Sequence, residues 1–195
     1  MPPRKMPPPE YLKNAPMRIR LAGLTPGVYE EQVDHVWLNI LRYYFRENSF
    51  SLEREAYVDP LFSKMKTNIS VCNVRNGQLQ KVLFVEAKRF PLSAIRGNWH
   101  TYYRWKRHKP QLRRYMLRSR TASHYRQTMY GMLAVGDRVK FYQINMVNNP
   151  AGDLTPYIYR GTPLDMALSI QTDGLQIQRI LKHISLTVRR LRNNV

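Results

Sequence analysis

The stretch Lys81-Val82-Leu83-Phe84-Val85-Glu86-Ala87-Lys88, entered through Arg75-Asn76-Gly77-Gln78, decides the fold. Four consecutive apolar residues, Val82 to Val85, suit a strand buried on both faces, as in the middle of a sheet. The Asn-Gly dipeptide ahead of them signals a tight hairpin. The partner strand is Asn68 to Val74, where Ile69 and Val71 alternate with Ser70 and Cys72. Glu86 and Lys88 are two residues apart, so both side chains leave the strand on the same side.

Upstream, Val33, Val36, Trp37, Ile40, Leu41, Tyr44 and Phe45 recur at steps of three and four between Glu30 and Glu47. This spacing predicts an amphipathic helix. Glu30, Glu31 and Asp34 near its start suit the positive end of the helix dipole. Ser51 to Val58 reads as a first strand. Downstream, residues 92–126 read as helix in one or two pieces, with Pro110 as a break or as the first position of a second helix. Thr128 to Val135 and Val139 to Ile144 flank Gly136-Asp137-Arg138 and read as a second hairpin. A loop with Pro150, Gly152 and Pro156 leads to a C-terminal helix over about 173–192. The order α-β-β-β-α-β-β-α predicts an α/β (or α+β) class with a mixed central sheet of about five strands flanked by helices.

Seven of the 13 prolines fall in the first 26 residues. Proline blocks helix interiors and sheet ladders, so residues 1–27 are expected to form a basic extended or disordered arm. Residues 28–195 are then one domain. No apolar segment follows the basic start, so a signal peptide is not expected, and no run is long enough for a membrane span. The single cysteine, Cys72, permits no internal disulfide and is expected in the core. Together these lead to the expectation of an intracellular chain, in cytoplasm or nucleus.

The formal net charge is +19, from 32 Lys and Arg against 13 Asp and Glu. Self-repulsion of that size points to a polyanionic partner. From Ala87 to Gly136 there is no acidic residue. The span holds Lys88, Arg89, Arg96, Arg104, Lys106, Arg107, Lys109, Arg113, Arg114, Arg118, Arg120 and Arg126. Trp99, Tyr102, Tyr103, Trp105, Tyr115, Tyr125 and Tyr130 interleave with them. Cations neutralise phosphates while aromatic faces stack on bases, so nucleic acid is the expected partner. Arg89, Arg104, Lys106, Arg107, Lys109, Arg113, Arg114, Arg118 and Arg120 are the expected contacts. Trp99 and Tyr102 are expected in the core. A membrane surface would more typically be met by one amphipathic helix. The five histidines have no metal-ligand spacing, and the glycines form neither a P-loop nor a dinucleotide fingerprint.

The hairpin, the apolar strand ending in Glu86-Ala87-Lys88 and the later Gln111-Leu112-Arg113-Arg114-Tyr115 together resemble the PD-(D/E)xK nuclease superfamily, which has the restriction-endonuclease-like fold. Met129 to Tyr142, with Tyr130-Gly131, Gly136 and Phe141-Tyr142, is similar to that family's second hairpin. The resemblance covers about residues 28–146, or through 192 if the last helix belongs to it. It is nearest to the domains of uncharacterised fungal proteins and of type I restriction subunits. It implies Glu86 as a metal-binding carboxylate, Lys88 as the catalytic lysine, Glu30 or Glu31 as a helix carboxylate at the metal, and Gln111 beside the active site. It implies Mg²⁺ or Mn²⁺, DNA ahead of RNA, and a homodimer where both strands are cut. One position departs. Asn68 stands where the family has its first aspartate, so a metal site of Glu86, Asn68 and Glu31 lacks a full negative charge. Asp59 is the nearby acid that a loop could bring in. The readings that follow are a metal-dependent phosphodiester hydrolase with a degenerate site, or an inactive module that binds nucleic acid or protein through its basic surface.

Overall fold

A computed structural model describes residues 7–46, 48–58, 65–75, 77–123, 127–145 and 152–190. Arg4, Lys5, Asp59, Asn76, Arg126, Pro150 and Arg192 lie outside the described residues. In chain order the elements are α1 (Ala15–Ala22), α2 (Glu30–Tyr44), β1 (Phe50–Arg54), β2 (Ile69–Arg75) and β3 (Gln78–Lys88). They continue with α3 (Trp99–Tyr102), α4 (Lys109–Ser123), β4 (Met129–Val135) and β5 (Arg138–Ile144). The short strands β6 (Thr155–Pro156), β7 (Ile158–Tyr159), β8 (Thr162–Pro163) and β9 (Leu168–Ser169) precede α5 (Gly174–Arg190). Short 3₁₀ turns cover Glu10–Lys13, Leu92–Arg96 and Trp105–Arg107.

The fold is α/β with a mixed seven-stranded sheet among the described residues, in the order β1-β2-β3-β4-β5-β6, with β9 also on β5. The expectation of about five strands falls short by the two-residue strands β6 and β9, which are too short to carry a periodicity. β3 is central, and Val82 to Ala87 are all buried. It pairs antiparallel with β2, where Arg75 faces Gln78 across Gly77, whose φ of 73° is left-handed. This is the backbone that the Asn-Gly signal calls for.

β3 pairs parallel with β4, Phe84 facing Gly131 and Glu86 facing Leu133. A parallel pair needs a long crossover, and residues 89–128 supply it with α4. α4 lies on the sheet at Gly131, where a Cβ would stand 2.9 Å from Met116 Sδ and 3.0 Å from Leu112 Cδ2. Leu112 and Met116 are fully buried and Tyr115 nearly so, which leaves Arg114 outward. On α2 the expected stripe Val33, Val36, Trp37, Ile40, Leu41 and Tyr44 is buried. α2 also packs on β3 and on α5, where the Ser185 hydroxyl donates to Tyr44 O at 2.9 Å.

The proline-rich start is a correction. Residues 7–27 were expected to be an extended or disordered arm, yet they hold a 3₁₀ turn and α1. Pro16 sits in the first turn of α1, where no N–H is required, and Asn14 Oδ1 caps it by accepting from Met17 N at 3.3 Å. Tyr11 is 0% exposed, and its hydroxyl donates to Ile170 O at 3.0 Å. At the start of α5, a Cβ on Gly174 would meet Tyr11 Oη at 2.6 Å and Pro9 Cγ at 2.7 Å. The bare glycine therefore lets the start of the chain pack there. Tyr102 is a second correction. It is 86% exposed, whereas Trp99 is buried as expected. Cys72 is buried in β2. Among the described residues no helix is long and apolar enough to cross a membrane.

Candidate functional site

Glu86 is carried to the end of the central strand and is 1% exposed. Burial pushes its carboxyl up to about 7, and the charges of Glu30 and Asp34 add to the rise while Lys88 opposes it. Lys88, one pleat later, places Nζ 2.5 Å from Glu86 Oε1 and 3.5 Å from Glu30 Oε2. Burial works against its ammonium, but the hydrogen bond and charge of Glu86, with those of Glu30, outweigh it, and the net shift is upward. The alternation in Glu86-Ala87-Lys88 thus ends in an ion pair, as the same-side placement implies.

Asn68 precedes β2, and continuing the pairing of Ile69 with Val85 by one step sets it beside Glu86. Its Oδ1 accepts from Ala87 N at 3.0 Å, and its Nδ2 donates to Glu30 Oε1 at 3.1 Å. An aspartate could make only the first of these bonds, because a carboxylate has no N–H to offer Glu30.

Of the two helix acids, the structure brings Glu30 to Lys88 and Asn68. Glu31, chosen as a metal ligand, has a side chain 67% exposed that reaches Arg54 Nη2 at 3.4 Å. The helical turn explains the correction, since adjacent residues point about 100° apart. Sequence reasoning missed Asp34, four residues after Glu30 and so on the same helix face. Asp34 is 2% exposed and holds Arg54 Nε at 2.6 Å through Oδ2. Its Oδ1 is buried with no hydrogen-bond partner among the described residues. Burial raises the Asp34 carboxyl, against the pull of Arg54.

Gln111 enters from α4. Its Nε2 donates to Tyr115 Oη at 2.6 Å. The Tyr115 hydroxyl is raised, chiefly by burial, and lies close enough to feel Glu86, Lys88 and Arg114. His108 and Tyr103 close the other side. They share a hydrogen bond of 3.0 Å, and both sense Lys88, Arg107 and Glu30. Asn68, Glu86 and Lys88 therefore come together with Glu30, Gln111 is tied to the neighbouring Tyr115, and Glu31 does not join them.

Does this set fit Mg²⁺ or Mn²⁺? Such a hard cation needs several oxygens facing one point, carboxylates foremost. Here the Lys88 ammonium sits against Glu86 and Glu30, the place where a cation would be held. Asn68 brings a neutral oxygen already bonded to Ala87 N–H. Among the described residues no group of three His, Cys, Asp or Glu side chains is arranged to hold a metal. As folded, the set does not fit the metal that the resemblance implies.

The expected nucleic-acid contacts fall into two neighbouring groups. Lys109, Arg113, Arg114 and Arg118 line one groove of about 1180 Å³ along α4, with Asp153 the one acid among its described lining residues. Arg113 is steadied by Gly152 O at 2.9 Å and by Asp153 at 3.9 Å. Arg104 and Arg107 line a second cavity of about 690 Å³ before α4, and Lys106 is exposed between them. Arg120 belongs to neither cavity lining. Arg89 is turned back, donating to Gly27 O at 3.1 Å with its guanidinium over the Tyr29 ring.

No protein-family model and no curated protein matches the chain. Among solved structures it is similar to the type IIG restriction endonuclease BpuSI, with 11% identity and a TM-score of 0.45. The match covers 86% of this chain and 17% of that one, so the chain spans a small part of that enzyme's length.

Proposed function

We propose that this chain binds nucleic acid through its phosphates, along the basic face of α4, and that the carboxylate–lysine site beside it is kept closed by its own ion pairs. The observation that carries the reading is the α4 groove, where four cations and one acid stand among the described lining residues. Phosphate oxygens suit such a surface, and each neutralised phosphate releases condensed counterions. The sequence resemblance to the PD-(D/E)xK nucleases supports the same partner, with DNA ahead of RNA. The donor set at Glu86, occupied by the Lys88 ammonium, does not fit the metal that hydrolysis would need.

Titration of a labelled DNA duplex at several salt concentrations tests the reading. If four cations engage phosphates, log K should fall against log[salt] with a slope of about −3.6. A slope near zero would overturn it and favour a basic protein-interaction module. Incubation with Mg²⁺ or Mn²⁺ tests the closed site. Wild-type cleavage that is lost in Glu86→Gln and in Lys88→Ala would reopen the hydrolase reading.

A further inference from the structure

The cavity before α4 differs from the groove on α4 in having an aromatic interior. Its floor is a rigid ring cluster. Trp99 stacks on Trp105 at 6.2 Å between centroids and meets Tyr103 edge-on at 5.5 Å, and Tyr103 stacks on His108 at 5.9 Å. Trp105 Nε1 donates to His100 O at 3.0 Å, which holds the short α3 segment in place. The wall turns at Gly97 and Asn98, both left-handed, with φ of 68° and 44°. For Asn98 that conformation carries a steric cost, and such strain persists only where the surroundings enforce it.

On this floor stands Tyr102, 86% exposed. It meets no other ring among the described residues. A large exposed aromatic beside a packed ring cluster offers a face on which a base can stack. Arg104 and Arg107 are exposed on the same lining, which contains no carboxylate among the described residues. The volume of about 690 Å³ is within the range of small-molecule sites. Tyr103 and His108 form part of its wall, and both lie within electrostatic reach of Lys88 and Glu30.

We infer that this cavity takes one unpaired nucleotide of a strand lying on α4, its base stacked on Tyr102 and its phosphate held by Arg104 and Arg107. This rests on the nucleic-acid reading above and adds to it a preference for single-stranded or frayed ends over closed duplex. A base buried in a duplex stack offers no free face to Tyr102, whereas an unpaired one does.

Single strands carrying 2-aminopurine, which loses fluorescence on stacking, test this. The full chain should lower the fluorescence of the probe in a single strand and leave the already low fluorescence of a probe stacked in the middle of a duplex unchanged. Tyr102→Ala should abolish the quenching and weaken single-strand binding about tenfold, while Tyr102→Phe, which keeps the ring, should retain both. Arg104→Ala combined with Arg107→Ala should weaken single-strand binding and leave duplex binding on α4 largely in place. Free 2-aminopurine nucleotide should compete only at far higher concentration. Salt-dependent duplex binding without quenching in either form would overturn this inference and leave the broader reading standing. Loss of all salt-dependent binding would overturn both. Equal affinity for the free nucleotide and the strand would replace the strand by a small nucleotide ligand and so overturn the inference as stated.

Discussion

The cluster at the end of β3 and the basic face of α4 meet at Tyr115, yet their charges are balanced in opposite ways. At the strand end Glu86, Lys88, Glu30 and Asn68 answer one another across 2.5–3.5 Å. Nearby, Asp34 is answered by Arg54 at 2.6 Å. On α4 the groove's cations greatly outnumber its acids. The first region is neutralised by folding and is coupled to stability. The second keeps an excess of cations over acids among its described lining residues, and is coupled to binding. A mutation in one region should therefore move a quantity that the other leaves alone.

The largest effect is expected from Lys88→Met. It strips the cation from a carboxylate that is 1% exposed and crowded by Glu30 and Asp34. Removing one partner of a buried pair costs about 3–5 kcal/mol, readable by urea denaturation. The double variant Lys88→Met with Glu86→Gln should recover most of that loss. If the single variant is as stable as wild type, the pair is not holding the strand end.

Next comes the pH dependence. Glu86 rises from an ordinary 4.5 to about 7 in the fold. The folded state therefore binds the extra proton between those two values. Its contribution favours folding below about pH 4.5 and is lost as pH rises through 7, by about 3 kcal/mol at most. Glu86→Gln should flatten this part of the curve of unfolding free energy against pH. An unchanged curve would place the titration elsewhere.

Asn68→Asp is a smaller perturbation with a sharper reading. It retains the acceptor for Ala87 N–H, removes the donor to Glu30 and adds a charge beside Glu30 and Glu86. Without metal, the variant should lose about 1–2 kcal/mol. Mn²⁺ should raise its Tm in a thermal scan and leave wild type unmoved. An equal rise in both proteins would mean that the Lys88 pairing does not close the site.

Arg114→Ala should give the smallest change in stability, within about 0.5 kcal/mol, because the side chain is exposed. Its effect belongs to binding, where the salt slope should become shallower by about 1. If Arg114→Ala left the slope intact while Lys88→Met altered it, the division between the two regions would be reversed.

Much of the frame is legible in the chain itself. Val82 to Val85 can be satisfied only by burial on both faces, and a period of three to four puts Val33, Trp37 and Tyr44 on one stripe whatever lies opposite. The Asn-Gly turn sets the β2–β3 register as far as Cys72, where a bulge that the sequence does not signal shifts it by one residue, and alternation brings Glu86 and Lys88 together. The site is less legible. Glu30 and Glu31 are chemically identical, and the rotation of α2 on the sheet alone selects Glu30. Asp34 shares that helix face, but its burial depends on Arg54 arriving from β1. Tyr102 and Trp99 read alike as apolar ring residues, and their separation into platform and floor is set by the left-handed turn at Gly97 and Asn98.

Local chemistry, then, determines which segments become strands and helices, which residues share a face and where the net charge of +19 is concentrated, because each depends on neighbours within a few residues. Tertiary structure decides what those local rules leave open. Tyr11 and Pro9 become part of the core because Gly174, more than 160 residues later, has no Cβ to exclude them. Lys88 settles between Glu86 and Glu30 because two elements distant in sequence converge there. The physical reason is the same in both cases: burial and Coulomb interaction depend on distance through space, and sequence separation carries no measure of it.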